Sequence, residues 1–437
     1  MDRFSSAEWS RCSWVESANE QACGFPLQSL PYCIFAGDDG RARPGVGIGA
    51  FVLDLRWCKG AGLFEGLPAH IHAACEARTL NPLISSGTAA QSGLRSRLMD
   101  LLGAEADQAT RDQVGAALRP VESVTLLKPV ESANYTDFYA SIHHARRVGQ
   151  LFRPEQPLLP NYKFVPIGYH GRASSVVVGG TPVRRPRGQT RPEAGGSPSF
   201  GPTRFLDYEV EVAMYIGNGN PLGEPIGIGQ AADHIFGLSL LNDWSARDIQ
   251  SWEYQPLGPF LAKSFSTSVS PWVVPMAALA PFRVPAAPRP ADDPEPLSYL
   301  FDSTDQHTGA IDLTVEAWLL TAAMRAVGHA AHRLSQANLR DLYWTPAQLI
   351  AHHTSNGCNL FPGDLVATGT ISGREDNAAG CLLELTAGGK QPIMLPNGES
   401  RGALEDGDEV ILRGFCRREG FPEVSVGECR GLVVQAI

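Results

Sequence analysis

Positive charge is scarce in this chain. Its 437 residues carry 36 Lys and Arg against 46 Asp and Glu, a formal net charge of −10. A surface that holds a polynucleotide needs a basic face, so no nucleic-acid partner is expected, although a locally positive pocket for a small anion stays open. Long apolar runs are missing too. None approaches the ~18 residues of a membrane span, and no membrane partner is expected. The start, MDRFSSAEWS, lacks the positive-then-apolar pattern of a signal peptide. Cysteines number nine (Cys12, Cys23, Cys33, Cys58, Cys75, Cys358, Cys381, Cys416 and Cys429), an odd count with no C-x-x-C pair. That speaks against a zinc site or a disulfide framework and for reduced, mostly buried thiols in a cytoplasmic protein.

Glycine (45) and proline (33) are abundant, which predicts many turns and short strands. The length predicts two domains at ~150 residues each as a soft guide. VGIGAFVLDLRW (46–57) reads as strand, turn and strand, and residues 88–118 have helical periodicity. RPVESVTLLKPVES (119–132) reads as a connection, placing the boundary near 125 and giving domains 1–125 and 126–437. In the second part, SSVVVGG (174–180) reads as a strand and RRPRGQTRPEAGGSPSFGP (184–202) as a loop. PFRVPAAPRPADDPEP (281–296), with six prolines in sixteen residues, reads as an exposed, extended loop. PGDLVATGTISG (362–373) and CLLELTAG (381–388) read as short strands.

The clearest strand is FLDYEVEVAMYIG (205–217). Leu206, Tyr208, Val210, Val212, Met214 and Ile216 share one face; Asp207, Glu209 and Glu211 share the other. Alone, this acidic face is most simply a solvated stripe. In NDWSARDIQSWEYQPLG (242–258), Asp243, Arg247, Gln250 and Tyr254 are spaced 4, 3 and 4 apart, which aligns them on one helix face ended by Pro256. Asn242 or Asp243 would cap that helix. An aligned guanidinium and amide suit an anion or oxyanion, and a solvated helix face is the competing account. NYTDFYASIHHA (134–145) adds Asp137, Tyr139, His143 and His144. If Asp137, Glu209, Glu211 and Asp243 converge, they need a cation between them, and all-oxygen ligands favour Ca²⁺ or Mg²⁺. Spacing alone does not show that they converge. Lys263 reads equally as a buried cation or a snorkelling side chain. The histidines of HHTSNGCNL (352–360) read as structural.

YTDFYAS (135–141), GYHGRASSVVV (168–178), LDYEVEVA (206–213), NDWSARDIQSWEYQPLGPFLAKSF (242–265), SPWVVPM (270–276), HHTSNGCNL and PGDLVATGTISG together resemble the fumarylacetoacetase family, and FPLQSLPY (25–32) extends the resemblance over nearly the whole chain. The resemblance implies a mainly β fold with some α, in which a small SH3-like N-terminal domain precedes a larger mixed β-roll domain. It implies a cytoplasmic homodimer that hydrolyses a carbon–carbon bond of a diketo dicarboxylate. It carries over His144 and Glu384 as the water-activating pair, Arg247, Gln250 and Lys263 as oxyanion donors, and Asp137, Glu209, Glu211 and Asp243 as ligands of an active-site Ca²⁺ or Mg²⁺. Tyr139, Arg153, Tyr169, Gln250, Tyr254 and Thr370 are implied substrate contacts. A second, structural Mg²⁺ is implied near Asp243, Lys263 and Thr267. His143 receives no role. The sequence departs from the family pattern at Ser266, at Phe361 and in REDNAAG (374–380), the last lying just before Glu384. The alternatives are an enzyme of the wider superfamily acting on another oxo-acid, and a non-catalytic protein that keeps the fold. The second would be expected to have lost a metal carboxylate or the histidine.

Overall fold

A computed structural model describes residues 9–37, 39–192 and 196–437. The signal-peptide reading therefore falls largely on residues outside the described ones, as do residues 193–195 of the expected loop 184–202. The rest of that loop contains a hairpin, Arg187–Thr190 with Ser199–Pro202.

The small first domain is a five-stranded antiparallel sheet in the order Leu118–Pro120, Phe51–Asp54, Ala42–Ile48, Tyr32–Ala36, Thr125–Leu127. Residues 119–132 are thus more than a connection, because they supply both edge strands. The expected strand over DLRW stops at Asp54, whose carboxylate accepts from Trp57 N at 3.0 Å and caps the helix Leu55–Gly60. The helical stretch is two helices, Thr88–Leu102 and Gln108–Gly115.

The larger part is built around two large sheets, accompanied by short two-stranded ones. One is mixed and runs Gly168–His170, Tyr135–Phe138, Leu365–Ala367, Val210–Ile216, Ile235–Asp243, Thr267–Val269, Val176–Val178. The other runs His332–Asn338, Thr314–Leu320, Glu409–Cys416, Val424–Val434, Val183–Arg184. Val212, Met214, Leu238 and Leu240 belong to the same core as Val315, Ala317, Leu412 and Val426. The strand Val210–Ile216 departs from expectation in that both its faces are buried. Ala213 and Tyr215 pack into the first domain's core, with Ile34, Val46 and Leu98. A strand buried on both sides cannot carry an acidic stripe to solvent, so its acidic residues are inside the protein.

Register then gathers the acids. Asp243 pairs with Thr267, Val210 with Asn242, and Ala367 with both Asp137 and Ala213. All nine cysteines are free and six are buried. Among the described residues, no helix is long and apolar enough to cross a membrane. The proline-rich stretch is only partly the loop expected. Its start closes a 3₁₀ turn, Met276–Phe282, and Arg283–Val284 pairs with Ala310–Ile311.

The helix Ile142–Phe152 lies so close to the chain after it that a Cβ on Gly149 would sit 1.8 Å from the Pro157 carbonyl oxygen. Gly149→Ala should therefore destabilise by about 1–3 kcal/mol, although alanine is the better helix former by about 1 kcal/mol. A lower urea midpoint at unchanged slope is the expected result; an unchanged or higher midpoint would show that the helix shifts freely.

Candidate active site

His144 sits in the first turn of the helix Ile142–Phe152, where the Ser141 hydroxyl accepts from His144 N at 3.2 Å. Its Nδ1 faces Glu384 Oε1 at 2.6 Å. Glu384 is carried by a helical turn, Leu382–Leu385, and not by the strand expected over CLLEL. The start of that turn rests on Asp207, whose fully buried carboxylate accepts from Leu382 N at 2.8 Å and Leu383 N at 3.0 Å. Glu384 also accepts from Ser372 Oγ (2.7 Å), Cys381 Sγ (3.3 Å) and Arg147 Nη1 (3.3 Å). Burial would push its pKa up, but His144, Ser372 and Arg147 hold it down at about 2. An ionised carboxylate only accepts, so His144 Nδ1 carries the proton and Nε2 is left for the cavity it lines. Burial lowers the pKa of the neighbouring His143, which is not among the cavity-lining residues.

The second group is acidic. Oxygens of Asp137, Glu211 and Asp243, all buried, lie within 4.8 Å of one another. Asp137 Oδ1 and both Glu211 oxygens have no hydrogen-bond partner. Burial, together with the neighbouring carboxylates, pushes Asp137 and Glu211 well above the ordinary carboxylate range, and burial raises Asp243 too. Unpartnered buried carboxylate oxygens at this spacing suit a hard divalent cation. Glu209 lies beside this trio, its oxygens engaged by Arg247 Nη1 at 2.7 Å and by Lys263 Nζ. Burial disfavours its charge, but Lys263 and Arg247 outweigh this and hold Glu209 ionised. Lys263, 6% exposed, also bonds Asp243 Oδ2 at 2.7 Å. It is therefore the buried cation rather than the snorkelling one. Despite burial, Asp243 and Glu209 raise its pKa, so it is charged.

The expected four-residue helix face is not formed. Asp243 ends a strand, Ser245–Ala246 pairs with Leu206–Asp207, and the helix begins at Arg247 and ends at Glu253 with Ala246 at its N-cap. Arg247, Gln250 and Tyr254 nonetheless reach one cavity. Arg247 is held from behind, with Nε and Nη2 each 2.8 Å from Asp207 Oδ2. Its Nη1 donates to Gln250 Oε1 at 3.1 Å, which turns the Gln250 amide nitrogen away from Arg247.

The cavity holds about 570 Å³. Asp137, Tyr139, His144, Arg153, Tyr169, Glu209, Glu211, Arg247, Gln250, Tyr254, Lys263 and Thr370 line it; Asp243, Thr267 and Glu384 stand behind that lining. The Tyr169 hydroxyl donates to Asp243 Oδ2 at 2.8 Å, and Arg153 Nε is buried without a partner. Thr267 Oγ1 donates to Asp243 Oδ1 at 3.2 Å. Among the described residues no second acidic cluster surrounds Thr267. Ser266 is buried, whereas Phe361 is half exposed and lines a different depression. Sequence reasoning assigns no role to Asp207, Arg147 or Ser372. Asp207 shows itself only as a third acid in phase with Glu209; the other two carry no signal.

Profiles described as "Fumarylacetoacetate (FAA) hydrolase C-terminal" and "Fumarylacetoacetase N-terminal" match residues 133–431 and 28–129. Curated relatives named fumarylacetoacetase are 45% identical in Oryza sativa subsp. japonica, over 99% of this chain and 100% of that one. In Bos taurus and Homo sapiens they are 47% and 46% identical, each over 94% of this chain and 97% of the relative. A solved fumarylacetoacetate hydrolase from Exiguobacterium antarcticum shares the fold, with a TM-score of 0.51 at 19% identity over 93% of this chain and all of that one. Two profiles in tandem and relatives of this similarity along the whole length show that the chain belongs to the fumarylacetoacetase family.

Proposed function

We propose that the chain is a metal-dependent hydrolase that cleaves 4-fumarylacetoacetate to fumarate and acetoacetate, the last step of tyrosine and phenylalanine breakdown, with His144 as its water-activating base. The observation that carries this is the meeting, in one cavity, of a carboxylate-oriented imidazole and of buried carboxylates without hydrogen-bond partners. Asp137, Glu211 and Asp243 would hold the ion, with Glu209 as the fourth expected ligand. A bound Ca²⁺ or Mg²⁺ would supply Lewis acidity, which would spread the charge of the departing enolate before it takes up a proton to become acetoacetate. His144 Nε2 takes the proton of the attacking water, and Glu384 keeps Nδ1–H in place and balances the imidazolium that forms. Lys263 and the Gln250 amide donate toward the oxyanion, while Arg247 orients Gln250 and Glu209. Arg153, whose Nε has no partner, suits a substrate carboxylate. Tyr139, Tyr169, Tyr254 and Thr370 complete the substrate contacts. A decarboxylase needs no water base, so the His144–Glu384 pair favours hydrolysis over that alternative. A cytoplasmic homodimer belongs to the same reading. A second, structural Mg²⁺ near Asp243, Lys263 and Thr267 belongs to it as well.

The direct test follows loss of the diketone absorbance in the presence of Mg²⁺ or Ca²⁺. The parent should turn over, and His144→Ala should lose about 10²- to 10⁴-fold in rate. A parent without turnover removes the functional reading; turnover unchanged in His144→Ala removes the assigned base.

The raised carboxylates give a pH signature. Groups whose pKa is raised by folding stabilise the protein while protonated, and that stability is lost as pH rises through the folded pKa. Metal-stripped protein should therefore melt lower as pH rises above the free carboxylate range, and an added divalent ion should raise the melting temperature more at pH 8 than at pH 5. Glu211→Gln should abolish most of the ion's effect. Differential scanning calorimetry across that range decides it; an ion effect independent of both pH and Glu211 would place the cation elsewhere.

A further inference from the structure

The proline-rich segment is a sequence feature that the reaction leaves unused. From 283 to 299 none of its residues is buried, so it adds little to the apolar core. Its charged side chains nevertheless reach inward. Arg289 lies over the rings of Tyr343 and Trp344, 4.2 and 4.6 Å from their centres. Its Nη1 donates to Tyr343 Oη (2.7 Å), the Pro294 carbonyl (3.2 Å) and the Lys163 carbonyl (3.4 Å). Asp293, its side chain 1% exposed, pairs with Lys163 Nζ. Both residues therefore grip the chain around Lys163 from outside.

That same chain is a wall of the cavity on its inner side. Leu159 and Ile167 line it. Tyr162 Oη donates to the Tyr139 carbonyl at 2.8 Å, and Tyr139 N donates to the Ile167 carbonyl at 2.8 Å. Ring contacts continue the line: Tyr343 to Tyr162 at 6.0 Å, Tyr162 edge-on to Tyr139 at 6.0 Å, and Tyr139 edge-on to His144 at 5.1 Å. Three tyrosines thus join a guanidinium on a surface loop to the imidazole of the site.

We propose that Arg289 and Asp293 are positioning residues that fix the 158–167 wall and Tyr139, and so set the width of the cavity where the carbon chain of the diketone lies. The proposal rests on the functional reading above for its substrate, and its effect falls on binding. Glu384, which orients His144, has its own donors in Ser372, Cys381 and Arg147, so the clamp should act on binding more than on the chemical step.

The test uses the full-length, metal-loaded protein with Arg289→Ala and Asp293→Asn, steady-state kinetics on fumarylacetoacetate, and hydrogen–deuterium exchange read on peptides covering 157–167. KM should rise roughly five-fold or more while kcat stays within about two-fold of the parent. Exchange over 157–167 should quicken, with 142–152 unchanged. A segment that only stabilises would lower kcat and the melting temperature at unchanged KM, and that result overturns the proposal. Asp293→Asn, nearly isosteric, carries the test if Arg289→Ala does not fold. If the parent itself does not cleave the diketone, the functional reading fails by itself. Exchange then still decides the clamp, and unchanged exchange over 157–167 overturns it.

Discussion

Three buried carboxylates crowded against one another are the constraint on which this molecule is built. Asp137, Glu211 and Asp243 are buried together, and like charges at that spacing cannot all ionise without a cation. The surroundings are arranged around that fact. Lys263 neutralises the near side of Asp243, and Tyr169 and Thr267 donate to the same carboxylate. Glu209 sits between two cations that favour its charged form, whereas burial raises the pKa of Asp137, Glu211 and Asp243. Removing one cationic partner would leave a buried charge uncompensated, a cost of about 3–5 kcal/mol that explains why these pairs come as a network and not singly.

Asp207 shows how one side chain can serve two halves of a site. It caps the turn that delivers Glu384 to His144, and it holds the guanidinium that faces Glu209 and Gln250. The base pair and the acidic cluster are therefore coupled through a residue that does not line the cavity.

Much of the site is legible in the amino-acid sequence. Period-two alternation sets Glu209 and Glu211 on one face, and the cavity they line is on that face. The i, i+3 and i+4 spacing holds for Arg247, Gln250 and Tyr254 and fails for Asp243, because Ser245–Ala246 completes a strand pair before the helix starts. Tertiary pairing overrides a local pattern there. CLLEL, a short apolar run, is ambiguous by periodicity, and the cap that makes it helical comes from Asp207, some 175 residues earlier. Double-sided burial of Val210–Ile216 is out of reach for a similar reason: the second covering layer is a different domain. The resemblance to the family supplies what spacing cannot, namely that these stretches meet.

That double-sided strand also says what the small domain is for. Ala213 and Tyr215 have their packing partners in the first domain, alongside Ile34 and Leu98. Peeling the two domains apart would wet the back of the very strand whose start carries Glu211. The N-terminal sheet is thus a back plate that shields the acidic chamber from behind.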